Sequence, residues 1–126
     1  SFLALANEPT AMEQLQPVRS FERYVLLTVA ELAGEGETPA HSYDVTERAK
    51  ARMDALERPP FGGIERQEVI TALASLAGEG LLGKAETESA VGKGRPAYVL
   101  GVDADAVVSA LTDDADVGPY AERLAD

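Results

Sequence analysis

The side chains with chemistry to offer gather between Arg48 and Arg95. Arg66 and Gln67 are neighbours at the start of an amphipathic stretch, and their side chains suit base edges in a DNA major groove. Arginine forks onto the two acceptors of guanine, and glutamine pairs with the donor and acceptor of adenine. Beside them, Glu65 or Glu68 could accept from a cytosine amine, and Thr71 could touch a thymine methyl. Further on, Lys93 and Arg95 flank Gly94 ahead of Pro96. A guanidinium on such a loop tip can enter a minor groove or clamp a phosphate, and glycines let the backbone approach closely. Arg48, Lys50 and Arg52 precede both groups and read as phosphate contacts; their other reading is surface charge paired with Asp44 or Glu47.

Other chemistry is poorly served. With no cysteine there is no disulfide, thiolate metal site or thiol redox chemistry. His41 is the sole histidine and reads as a partner for helix-end backbone, not as a metal ligand. Asp113, Asp114 and Asp116 could gather a hard cation, but in so acidic a chain they read as a solvated face. The lysine between Gly92 and Gly94 lacks the spacing and following helix of a phosphate-binding loop. No nucleophile stands in a pattern that would supply its base. The sequence therefore predicts no enzyme, no metal and no resident cofactor; bound potassium or another cation at a DNA interface is the one ligand it leaves room for.

The elements that must position these residues follow from the hydrophobic spacing. Ile64, Val69, Ile70, Leu73, Leu76 and Ala77 recur mostly every three or four positions, which predicts a helix stopped by Gly78 and Gly80. Leu81–Glu88 and Ala97–Val102 are extended candidates around a basic, glycine-bearing tip. Upstream, Thr10 and Glu13 have capping-box spacing for a short helix through Leu15. Ser20 is expected to cap a central helix carrying Phe21, Tyr24, Val25, Leu26, Leu27, Val29 and Leu32, which ends at Gly34 and Gly36. Thr38 and Pro39 are expected to open a helix with core stripe Val45, Ala49, Met53 and Leu56. Pro59, Pro60, Gly62 and Gly63 force a turn before the basic face. Asp103 is a good N-cap for a helix through Leu111, and Pro119 starts a last turn or two.

The chain has 126 residues, enough for one domain, and 45% hydrophobic content marks it as globular. No apolar run is long enough to span a membrane, and SFLALA has no basic flank and is shorter than a signal-peptide core, so a cytoplasmic location is expected. The net charge of -11 has the wrong sign for a partner of phosphate. Its distribution softens this, because residues 48–95 carry eight basic and seven acidic side chains while the remainder carries three and fifteen. Such acidity with only three lysines predicts a salt-loaded cytoplasm, where repulsion is screened within roughly 3 Å at about 1 M salt; an acidic mesophilic protein is the alternative.

Helix, turn, helix, then a hairpin with a basic tip is the order of a winged helix-turn-helix. The motif His41-Ser42-Tyr43-Asp44-Val45, the helix over Glu68–Leu82 and the wing Gly94-Arg95-Pro96-Ala97-Tyr98 resemble those of PadR-like winged-helix transcription regulators, over about residues 20–100. Ser42 stands in place of the usual glycine and Ile70-Thr71 in place of tyrosine-proline. With the acidity, the chain is similar to haloarchaeal oxidative-stress regulators of this type. The resemblance implies a DNA-binding homodimer on a pseudo-palindromic promoter site, held by terminal helices. The expected fold is mainly α with a small β-hairpin wing: an N-terminal arm and helix (1–18), a winged-helix core (19–102) and C-terminal dimerisation helices (103–126). Leu5, Met12, Leu15, Val107, Leu111, Tyr120 and Leu124 are apolar residues in those ends that a lone small domain would struggle to cover, and are expected at the dimer contact. The competing reading is a winged-helix protein–protein interaction module of a replication or transcription assembly, which the net charge favours.

Overall fold

The computed structural model of the chain describes residues 11–57, 59–85 and 96–125. In order these form α1 (Ala11–Leu15), α2 (Ser20–Gly34), the two-residue strand β1 (Ala40–His41), α3 (Ser42–Ala55), α4 (Arg66–Gly78), β2 (Leu82–Ala85), β3 (Ala97–Leu100), α5 (Ala104–Leu111) and α6 (Gly118–Ala125). Every residue from Tyr24 to Leu32 is buried, because α2 is apolar around most of its circumference and so can be covered on all sides. It packs against α3, α4, α5, α6 and β3. No helix among the described residues is long and apolar enough to cross a membrane.

The ends of α2 and α4 are built alike. Gly36 and Gly80 adopt positive φ, 75° and 81°, which costs a glycine nothing sterically. The Gly36 and Glu37 amides then donate to the Ala33 and Leu32 carbonyls at 3.1 and 2.9 Å, and those of Gly80 and Leu81 donate to Ala77 and Leu76 at 3.1 and 3.0 Å. This is the Schellman arrangement, which satisfies carbonyls orphaned by the helix end. Gly34 and Gly78 stay helical and do not stop anything.

The sheet is three-stranded and antiparallel, in the order β1-β3-β2, with Ala40 opposite Tyr98, and Leu82 opposite Leu100. The expected hairpin is therefore joined by a strand of two residues, too short for periodicity to reveal. Pro39 precedes this strand instead of opening α3; His41 is the N-cap there, and its amide donates to the Asp44 carboxylate at 3.2 Å. Ser20 does not cap α2 either. That role falls to Arg19, whose amide donates to Glu22 at 3.2 Å, while the Ser20 hydroxyl donates to Asp116 at 2.6 Å. A mainly helical chain with a small antiparallel sheet is thus present, in a layout compatible with a winged helix.

The C-terminal helices depart most from expectation. Val107, Leu111 and Tyr120 are 0, 1 and 1% exposed, Leu15 is fully buried, and Leu124 packs half-buried on the same core. They close the far side of α2 within one chain, so they are not an uncovered fringe awaiting a partner. The apolar-surface argument for a dimer fails at these five positions. Leu5 lies outside the described residues, as does the side chain of Met12. Between α5 and α6 the acidic run is structural: Asp114 accepts from Arg23 at 2.6 Å and from the Val117 amide at 2.9 Å, while Arg23 also donates to the Val18 and Leu15 carbonyls at 2.9 and 2.7 Å. Burial opposes ionisation of Asp114, but the Val117 and Asp116 amides and Arg23 outweigh it and hold its pKa below the ordinary value. Of the run expected to be a solvated face, Asp113 is exposed, whereas Asp114 and Asp116 tie the α5–α6 connection to Arg23 and Ser20 of α2.

Candidate nucleic-acid interface

The placement of α4 begins in the turn before it. Residues 56–65 separate α3 from α4, and Phe61 anchors this segment by packing edge-on against Phe21 and Tyr24 of α2, with ring centroids 5.4 and 5.8 Å apart. Edge-to-face pairs of this kind stabilise by about 0.5–1.5 kcal/mol beyond the area they bury. Ile64 is buried behind it, and Val69, Ala72, Leu73 and Leu76 fix α4 on the core. The opposite face is open: Glu65, Arg66, Gln67, Glu68, Ile70, Thr71, Ala74 and Ser75 are all exposed.

Ile70 was expected in the core stripe and is instead 37% exposed. Each helical residue advances about 100° around the axis, so with Val69, Leu73 and Leu76 pointing inward, position 70 falls outside and Ala72 completes the stripe. The Thr71 hydroxyl donates back to the Gln67 carbonyl at 3.0 Å. Arg66 forms no ion pair with a described residue. Glu65, Arg66, Gln67, Glu68 and Thr71 are therefore all exposed outside the core stripe of α4, as their spacing implied, with Arg66 and Glu68, two positions apart, on opposite sides of that outer surface.

Arg48 and Arg52 are not free for phosphate. Arg48 bonds to Glu31 and reaches Glu35 at 2.7 Å and Glu37 at 3.3 Å; Arg52 meets Glu31 at 2.8 Å. None of these partners is Asp44 or Glu47; Lys50 lies near Glu47, at 3.9 Å, a separation that in an exposed pair contributes little. The reason is Glu31, a carboxylate buried by α2 with only 5% of its side chain exposed. A buried charge needs pairing and hydrogen bonds, and Glu31 obtains them from both arginines and from the Tyr120 hydroxyl at 3.0 Å. Burial opposes its ionisation, but Arg52, Arg48 and Tyr120 prevail and keep its pKa below normal. Hydrogen bonding to Arg48 likewise pulls Glu35 down to about 2. Burial, with Glu31 beside it, pushes the Tyr120 hydroxyl far up, so it stays a proton donor.

No family model, curated protein or solved structure matches the chain.

A basic residue with no local signal in the sequence lies beside the candidate face. Arg19 is exposed and shares a shallow cleft with Gln67, Glu68 and Thr71. It stands 48 positions before Gln67, and only the packing of α2 on α4 brings them together. Lys84 is exposed on β2 opposite Tyr98. Lys93 and Arg95 lie outside the described residues, as do Glu86 and Glu88. His41, expected to partner helix-end backbone, instead has Nδ1 3.2 Å from the Pro96 carbonyl ahead of β3, which pins the start of α3 to the sheet. Among the described residues no cluster of acidic or histidine side chains is arranged to hold a metal.

Proposed function

We propose that this chain is a sequence-specific transcription regulator of the winged helix-turn-helix type, PadR-like, which binds double-stranded DNA as a homodimer on a pseudo-palindromic promoter site. The observation that carries the reading is the open face of α4, where Arg66 and Gln67 stand unpaired with other described side chains at the helix N-terminus. In a helix-turn-helix, that part of the second helix meets base edges. Arg19 adds positive charge beside this face, and Lys93 and Arg95 are assigned the wing contacts on their residue types alone. The homodimer is part of the proposal on the strength of the resemblance, and two-fold pairing would double the roughly 600–1,000 Å² that a single small module buries on DNA. The acidity suits a haloarchaeal, high-salt cytoplasm, and the resemblance assigns the regulator to oxidative stress; any such response uses no cysteine thiol, since the chain has none.

The second reading, a protein-binding winged-helix module, gains from one observation: Glu31, Glu35 and Glu37 neutralise Arg48 and Arg52. Selection of duplexes from a random library at several potassium chloride concentrations separates the two. Enrichment of a two-fold sequence whose binding falls about 5- to 150-fold in Arg66→Ala, the equivalent of about 1–3 kcal/mol for one base-contacting arginine, supports the regulator. Absence of any enriched sequence supports the protein-binding module.

A further inference from the structure

We infer that Ile70 is a specificity-determining residue that reads a thymine methyl group in the major groove. The inference rests on the DNA-binding reading above and names what the middle of the α4 face recognises. Tyr43 and Ile70 are the large hydrophobic residues left exposed among the described ones. Tyr43 carries a hydroxyl that water can solvate, so its exposure needs no covering partner. Ile70 has no polar atom in its side chain, and it stands on the one face of α4 that the fold leaves open, a turn beyond Arg66 and beside Gln67.

The surroundings of Ile70 narrow its occupant. Thr71 donates its hydroxyl proton to the Gln67 carbonyl, so that side chain has a methyl and an accepting oxygen left to offer, and Ala74, a turn past Ile70, is exposed as well. The face therefore runs from hydrogen-bonding groups at Arg66 and Gln67 to methyl groups at Ile70, Thr71 and Ala74. Edges in the major groove vary in the same two currencies: donors and acceptors on every base, and a single apolar group, the C5 methyl of thymine. A patch this narrow, rimmed by Arg66, Gln67 and Ser75, matches isolated methyls in a polar groove better than the broad apolar core of a protein interface. A half-site read by this helix then has a guanine or adenine under Arg66 or Gln67 and a thymine under Ile70.

The test uses the full chain and the duplex recovered by selection from a random library. Each thymine in turn is replaced by deoxyuridine, which removes the methyl and leaves pairing intact. For the wild type, one or two positions per half-site should lose affinity about fourfold, the equivalent of one methyl-sized group removed from an apolar contact. In Ile70→Ala that sensitivity should vanish at the same positions, and in Ile70→Val, which retains γ-methyl groups that alanine lacks, it should persist. A flat deoxyuridine scan in the wild type, or one that Ile70→Ala leaves unchanged, overturns the inference while leaving DNA binding in place. Failure of the wild type to select any duplex overturns the regulator reading and this inference with it. Loss of self-association in Ile70→Ala with an unaltered deoxyuridine scan assigns the residue to contact between copies of the chain and likewise refutes it.

Discussion

Replacing Glu31 by glutamine keeps the shape of the most connected polar residue in the core and removes its charge. The carboxylate, 5% exposed, holds Arg48, Arg52 and Tyr120 and so joins α2 to α3 and α6. Breaking a buried ion pair from one side costs about 3–5 kcal/mol when the remaining charge is stranded. Here the stranding is partial, because Arg48 retains Glu35 and Glu37 and the two arginine side chains are 23 and 38% exposed. The loss expected is therefore about 2–3 kcal/mol, nearer the value of a charged hydrogen bond, or roughly 6–15 °C in Tm for a domain of this size. Because the folded-state pKa of Glu31 is depressed from 4.5, its stabilisation is fully present above the unfolded value and is lost as pH falls through the lower folded one. Urea denaturation followed by circular dichroism from neutral pH to below pH 4 measures both effects: Glu31→Gln should be less stable at neutral pH and should show a shallower acid limb than the wild type. Equal stability at neutral pH with an identical acid limb would refute the assignment of Glu31 as a paired, ionised core carboxylate.

Two other perturbations test the fold that positions α4. A methyl group added at Gly101 would lie 2.6 Å from the Gly80 carbonyl oxygen, so Gly101→Ala should force the chain leaving β3 away from the end of α4 and destabilise by about 1–3 kcal/mol, read by thermal melting; an unchanged Tm would contradict that packing. Deleting residues 103–126 removes Val107, Leu111, Val117 and Tyr120 from the core; the remainder should lose cooperative unfolding and near-ultraviolet dichroism, whereas a folded monomer would show that these helices serve only association.

Long, strongly periodic segments were legible in the sequence. The central helix, the α4 helix, the Asp103 cap, whose carboxylate accepts from the Ala106 amide at 3.0 Å, and the turn at Pro59–Gly63 all follow from local spacing and local backbone chemistry. What escaped depends on partners far apart in the chain. Glu31 reads as one polar residue in an apolar helix, and nothing local says that arginines 17 and 21 positions later will turn to it. Phe61 lies between prolines and glycines and gives no sign that it will seat against α2. The apolar ends read as surplus because a pattern shows that a residue must be covered without showing what covers it. Val69 and Ile70 both read as core, but adjacent positions lie about 100° apart on a helix, and with Val69 inward Ile70 falls outside.

The claim on which the account turns is that the exposed face of α4 recognises DNA in spite of a net charge of -11. An ordinary basic binder releases cations from the phosphates and weakens steeply as salt rises. Binding through α4 would bring the exposed Glu65 and Glu68, which neighbour Arg66 in the chain, toward the polyanion, and a dimer would carry twice the single-chain charge, -22 in all. Cations must then remain, or be taken up, between carboxylates and phosphates, against the release driven by Arg66, Lys93 and Arg95. Titration calorimetry of the wild type with its selected duplex, from 0.1 M to roughly molar potassium chloride, measures the balance directly. Affinity that holds or improves with salt, with Arg66→Ala losing its preference for the selected sequence over a scrambled one, is the result predicted; binding that collapses with salt and treats both sequences alike would contradict it.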